Sequence, residues 1–426
     1  MRPAQSGERS VPEVGLKQRE RRAWSIVLLW TIGIFLAIPL ARTVEGFVRD
    51  HIGNVFFGWF VISVVAVATA FALRSVLARG RVADNSQRRG LFWLLGVGAV
   101  FIAATAFLWR NPEEAVHFVQ YGALAVLLYR ALGYRFGDPS IYVIGGLLGT
   151  SVGCLDEALQ WATPERYFGL RDIVINGLAS VLVQIAIAKG IRPVSVSRSF
   201  SPAGIRGICG AASMLLSLLL LITINTPERT ARWASAIPGL EFLEHNESTM
   251  MEYGFRYEVE DIGVFRSRFR LDELAAIDAA RGEVAGQKIE NCLSEYREFI
   301  LATPPSRDAF LHELCVHLFR RDRYQYLSAH PDTDEGPAGL ERRKLATVAV
   351  REERLVRKFF TKASAASGVQ YAPGEFEFLE AMELPDLKYE STVSSDLVTE
   401  VREWQLLCGF GLGFVAIAAL AFSTRR

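Results

Sequence analysis

The sequence predicts an all-α polytopic membrane protein of about eight transmembrane helices, with a mostly helical extracytoplasmic domain between the last two. Three observations lead there. Half of the 426 residues are hydrophobic, and the mean hydropathy of +0.21 is high for a soluble enzyme. The apolar residues come in blocks of spanning length rather than scattered. Arginine and lysine collect in alternate connections between those blocks, as the positive-inside rule requires.

The tail, residues 1–23, is basic (Arg2, Arg9, Lys17, Arg19, Arg21, Arg22) and leads into an apolar run from Trp24 to Ala41. That run is longer than a signal-peptide core. Pro39 and Arg42 close it without a small-residue cleavage site, so it reads as a retained first span. The predicted spans are 24–42, 55–73, 91–109, 115–132, 141–158, 173–190, 207–224 and 404–422. The fourth is the weakest, because it carries His117, Gln120 and Arg130. Gly145, Gly146 and Gly149 in the fifth predict close helix packing.

Eight spans place the N-terminal tail, the 74–90, 133–140 and 189–206 connections and the Arg425-Arg426 end on one side. All are basic or very short, so that side is expected to be the cytoplasm. The expected location is the cell inner (cytoplasmic) membrane, multi-pass, with both termini cytoplasmic. Residues 24–224 form the membrane domain, 225–403 an extracytoplasmic soluble domain, and 404–422 the final transmembrane helix.

Within 225–403, helical spacing predicts a helix over 271–302. A second is predicted from a Ser306 N-cap through Tyr326, after Pro304-Pro305. The charged 339–365 stretch reads as an exposed amphipathic helix, Asp332–Gly339 as a loop, and 262–269 as a short β element. From about Ser394 the chain is expected to run as one helix into the last span.

The scarce polar residues between Glu113 and Gly177 crowd toward one end of three apolar helices. His117 and Tyr121 open one; Asp156, Glu157 and Gln160 close the next; Asp172 and Asn176 open the third. Arg166 and Arg171 lie in or beside the link between the last two. His117 with Tyr121, Asp156 with Gln160, and Asp172 with Asn176 are four apart, so each pair shares a helix face. Converging stripes would build an outer-leaflet pocket. In it His117 serves as acid or base oriented by Asp156 or Asp172. Tyr121, Glu157, Gln160 and Asn176 would bind a ligand, with Arg166 and Arg171 holding a phosphate or carboxylate. No spacing is diagnostic of a metal, and no cofactor is implied. The plainer reading is packing: Asp172 as a helix N-cap, Glu157 with Arg166 as a loop-fixing ion pair, and Asn176 and Tyr121 as interhelical hydrogen bonds.

The same residues carry a resemblance. Glu-Glu-Ala-Val-His-Phe-Val-Gln-Tyr-Gly-Ala-Leu (113–124), then Asp-Glu-Ala-Leu-Gln (156–160), Pro164, Arg166, Asp172 and Asn176-Gly177, resembles the VanZ family over about 110–190. The family is named for low-level resistance to the glycopeptide teicoplanin. The resemblance implies a membrane protein of the cell envelope whose site residues are His117, Tyr121, Asp156, Glu157, Gln160, Arg166, Asp172 and Asn176. This chain has Glu113-Glu114 where many members have Asp-Lys. It has Ala179-Ser180 where a glycine is expected.

Other signals are weaker. His312 and His317 are five apart, about 100° off the i, i+4 spacing that a zinc-protease helix needs. Cys292 and Cys315 are candidates for a disulfide, whereas Cys154, Cys209 and Cys408 fall in spans as apolar fillers. Asn246-Glu247-Ser248 fits a glycosylation sequon. A net charge of +1 gives no reason to expect nucleic acid. The functional readings are therefore three. The first is recognition or modification of a lipid-linked or cell-wall component. The second is a non-enzymatic membrane scaffold whose soluble domain binds a periplasmic partner. The third, a small-solute transporter, lacks paired midplane interruptions or an inverted repeat.

Overall fold

The computed structural model describes residues 13–78, 85–164, 166–245, 249–290, 303–330, 339–394 and 397–424. The chain divides into two compact units, Met1–Leu220 with Gly409–Arg426, and Leu221–Cys408. The protein is an all-α polytopic membrane protein: seven helices are long and apolar enough to cross a membrane, or eight if one bent pair is a single span.

The bent pair is α1 (Glu13–Ala37) and α2 (Ala41–His51), which meet at 67°. Pro39 sits in the break, where its missing N–H and its ring interrupt the helical ladder. Beyond the bend α2 is short and strongly amphipathic. The straight spans are α3 (Phe56–Leu77), α4 (Asn85–Phe107), α5 (Val116–Leu132, preceded by a 3₁₀ turn at Pro112–Ala115), α6 (Ser140–Trp161), α7 (Leu170–Ile185, continued by a π turn to Ile191), α8 (Pro202–Ile224) and α15 (Glu403–Ser423).

Helices α5 and α6 are the least apolar of the straight spans, and α5, α6 and α7 are the most buried. These facts belong together, because a polar side chain is tolerated at membrane depth only where it faces protein. Tyr121, Leu124 and Leu128 of α5 form the middle of the core, packed with Ile141 and Ile144 of α6 and Ile175 and Ala179 of α7. Between α6 and α7 the fit depends on missing side chains. A Cβ at Gly145 would lie 2.6 Å from Gln184 Nε2, one at Gly149 2.7 Å from Ser180 Cβ, and one at Gly153 2.8 Å from Asn176 Cβ. Three glycines four apart thus receive three polar side chains of α7, and van der Waals contact and buried polarity hold the pair where lipid supplies no hydrophobic drive. Gln184 donates to the Ala125 carbonyl at 2.9 Å, tying α7 to α5. Cys154 and Cys209 are buried, but Cys408 is exposed on α15, a helix with no buried residue.

The second unit contains helices α9 (Pro227–Ala236), α10 (Leu271–Glu290), α11 (Pro305–Ala329), α12 (Gly339–Phe359), α13 (Thr361–Ala366) and α14 (Pro373–Ala381). Its strands are β1 (Glu252–Tyr253), β2 (Phe255–Val259), β3 (Gly263–Ser267), β4 (Glu390–Thr392) and β5 (Leu397–Val398). β3 pairs antiparallel with β2 and parallel with β4, while β1 and β5 form a separate parallel pair. The core gathers Leu274 and Ile289 of α10, Phe310, Leu314 and Leu318 of α11, and Leu355 and Phe360 at the end of α12.

Three expectations need correction. Ser306 caps nothing: its hydroxyl is buried without a partner, and Asp308, at φ −154° and ψ 87°, accepts the Leu311 N–H instead. The 339–365 stretch is not an exposed helix. Arg351, Glu352 and Glu353 of α12 are buried because other elements offer them partners: Arg351 pairs with Glu383 at 3.3 Å and donates to the Leu387 carbonyl at 2.7 Å, and α11 partners both glutamates. Glu352 accepts from Arg320 at 2.9 Å and pairs with His317 at 2.7 Å, while Arg321 donates to Glu353 at 2.7 Å. A charged sequence does not reveal that its partners lie on another buried helix. No helix starts near Ser394; the chain forms β5 at 397–398 and α15 begins only at Glu403. His312 and His317 are both buried and face Arg268 and Glu352 respectively. The sequon, Cys292 and most of the 332–339 loop lie outside the described residues.

Candidate functional site

The end of α6 and the starts of α5 and α7 meet at one end of the bundle, and a cavity of about 610 Å³ opens there. His117, Gln120, Asp156, Gln160, Arg166 and Asp172 line it. The bend after α1 brings α2 over the same space, so that Arg42 and Glu45 form a further wall, and Glu113 and Glu114 of the 3₁₀ turn add another. Ile34, Ile38, Val44 and Phe57 supply an apolar side.

Tyr121 lies beneath this lining, fully buried, and donates its hydroxyl to Asp156 Oδ2 at 2.9 Å. Its ring stacks under that of His117, with centroids 6.1 Å apart. Asp156 is therefore engaged by the phenol. His117 Nδ1 is closed off from solvent with no hydrogen-bond partner. Among the described residues no hydrogen bond joins His117 to either aspartate.

The link between α6 and α7 is organised by a relay. Arg166 Nη2 donates to Gln160 Oε1 at 2.6 Å, and Gln160 Nε2 donates to Glu157 Oε1 at 2.7 Å. The other Glu157 oxygen accepts the Gly169 N–H at 2.9 Å. Glu157 is fully buried behind the cavity, so it fixes the loop through glutamine and backbone rather than through a direct ion pair with Arg166. Arg171 stands outside the lining and pairs with Glu114 at 3.3 Å.

Asp172 is the third residue of α7, whose N-cap is Gly169, so its carboxylate complements the helix N-terminus from the first turn without capping it. Asn176 turns away from the cavity into the Gly153 contact, where both amide atoms are buried and unpartnered. The predicted stripe from Asp172 to Asn176 is thus divided between cavity and helix seam.

The cavity carries five carboxylates (Glu45, Glu113, Glu114, Asp156, Asp172) against two guanidiniums (Arg42, Arg166) and His117. Arg42 lies over the Tyr167 ring at 5.2 Å. Glu113 Oε2 is closed off and unpartnered, and Glu113 makes no ion pair among the described residues. The acidic wall and α2 were the parts that sequence reasoning missed. Their signal was Pro39 followed by an amphipathic segment, which turns the chain back across the helix ends. Comparisons with protein-family models, with curated proteins and with solved structures find no match to this chain.

Proposed function

We propose that the chain is a VanZ-like membrane protein of the cell envelope whose polar cavity recognises or modifies a lipid-linked or cell-wall component at the outer leaflet. The observation that carries this reading is the gathering of His117, Asp156, Gln160, Arg166 and Asp172 around one cavity of about 610 Å³. Ionisable groups at membrane depth are rare, and where they gather around a cavity they mark a site by default. His117 supplies an imidazole that can donate and accept hydrogen bonds, and Asp156 and Asp172 supply carboxylates in the same lining. The basic connections support a cytoplasmic-membrane location with both termini cytoplasmic and 225–403 outside. A link to glycopeptide resistance rests on the sequence resemblance alone.

The test is a set of alanine variants at His117, Asp156 and Asp172, scored for teicoplanin susceptibility and envelope integrity at matched membrane levels. Loss in each variant is expected. Normal phenotypes in all three folded variants would leave the scaffold reading. That second reading has its own support, since Leu221–Cys408 is compact and has its own core. Deleting that unit would then abolish the phenotype while the cavity remained intact.

A further inference from the structure

We infer that the group received by this cavity is a protonated amine, and the inference rests on the reading of the cavity as a ligand site. Charge balance is the first argument. Five carboxylates line the space against two guanidiniums. Both guanidiniums are already engaged, Arg166 with Gln160 at 2.6 Å and Arg42 with the Tyr167 ring at 5.2 Å. Two of the carboxylates already have cations beside them, Glu45 with Arg49 at 3.4 Å and Glu114 with Arg171 at 3.3 Å, which leaves Glu113, Asp156 and Asp172 against the two guanidiniums. An arriving phosphate would therefore add negative charge to a space that already holds an excess of it, and like charges close together are unfavourable in a medium of low polarity.

The second argument comes from unmet hydrogen-bonding atoms. Glu113 Oε2 and His117 Nδ1 are shielded from solvent with no partner. The carboxylate oxygen accepts and does not donate when ionised, and the imidazole nitrogen accepts in one tautomer. Arg166 Nε is unmet too, but one donor does not reverse the balance. An ammonium brings three N–H donors and a positive charge, and it lets neighbouring carboxylates remain ionised where they would otherwise take up protons. A bare metal ion fits less well: among the described residues no group of three or more His, Cys, Asp or Glu side chains is placed to hold one.

The third argument is position. The cavity lies where spans end, under the amphipathic α2, and has an apolar side formed by Ile34, Ile38 and Phe57. Amphipathic helices of this kind lie in the head-group layer. An amine borne by a lipid reaches this place with its chains against the apolar side. A soluble amine offers the same ammonium without the chains.

The experiment uses the full chain in nanodiscs of phosphatidylglycerol, with phosphatidylethanolamine introduced as a minor component. Retained lipid is read by native mass spectrometry and thermal unfolding is followed in parallel. A second arm adds soluble ethanolamine to discs lacking the aminolipid. Retention of phosphatidylethanolamine over phosphatidylglycerol by about tenfold is expected, falling by a similar factor in Glu113→Gln and in Asp172→Asn. Glu113→Gln breaks no ion pair, so it separates binding from folding. A thermal shift with ethanolamine alone, lost in the same variants, would assign the amine to a soluble source. Preferred retention of phosphatidylglycerol, unchanged or strengthened in Glu113→Gln, would overturn the amine while leaving a ligand site. Retention of neither lipid and no shift with ethanolamine would overturn the amine, and normal resistance in the alanine variants would independently remove the ligand site.

Discussion

Tyr121 and Asp156, thirty-five residues apart in sequence, are joined by a hydrogen bond of 2.9 Å inside the membrane unit, and neither is more than 2 % exposed. The bond joins α5 to α6 and occupies one oxygen of a carboxylate that lines the cavity. Tyr121→Phe removes the donor and leaves a buried carboxylate oxygen unsatisfied, so it should cost about 1–3 kcal/mol of stability. Asp156→Asn keeps an acceptor for the phenol and should cost less, yet it should impair function more because a cavity charge is lost. Thermal unfolding in nanodiscs, beside the resistance assay, measures both; equal stability losses would show that the bond is not buried in this way.

The glycine seam predicts an asymmetry between two similar substitutions. Gly149→Ala puts a methyl against Ser180 and should cost about 1–3 kcal/mol, the usual penalty of overpacking. Ser180→Gly in the same chain should recover most of it. Gly210→Ala in α8 meets nothing within 4 Å and should be neutral or slightly stabilising. A double-mutant cycle on thermal unfolding checks the coupling, which should be absent if α6 and α7 do not meet here.

In the second unit the α11–α12 seam should be sensitive to the loss of one charge. Arg321 is buried against Glu353, which is also buried. Arg321→Leu leaves Glu353 with Arg357 alone, at 2.6 Å, and should destabilise the unit by about 1–3 kcal/mol. Lys344→Ala removes an exposed pair with Glu341 and should change stability by about 0–1 kcal/mol. Urea denaturation followed by far-ultraviolet circular dichroism distinguishes the two.

Acid should weaken this unit in two overlapping windows. Burial pushes Glu352 up, but His317, Arg320 and Tyr389 outweigh it and hold its carboxyl near 2 rather than 4.5. Burial, followed by Arg268 and His317, pushes the His312 imidazole down from 6.5 to about 3. For both groups the unfolded chain binds the proton more readily, so stability falls as pH falls. The His312 contribution is lost between pH 6.5 and 3, and that of Glu352 between 4.5 and 2. His312→Gln should flatten the upper window and leave the lower one. Hydrogen-exchange protection of α11 amides, corrected for intrinsic rates, reads this directly; an unchanged upper slope in the variant would assign it to another group.

The sequence alone determined the polytopic helical class and the approximate positions of the seven straight spans, but not the bend that ends the first. Runs of about twenty apolar residues admit few other outcomes in a membrane, where each backbone polar group must be satisfied within its own helix. It also marked out the polar residues between 113 and 176, because their side chains are expensive at that depth. What it did not determine was which of them face a common space. Spacing by fours puts Asp172 and Asn176 on one side of a helix, yet one lines the cavity and the other fills the Gly153 contact. That choice depends on the angle at which α6 crosses α7, set by glycines on the neighbouring helix. Likewise the charges of α12 read as a solvated face until α11 supplied buried partners. The tertiary structure decided both for one reason. A helix repeat specifies directions around its own axis, and only packing specifies what lies in each direction.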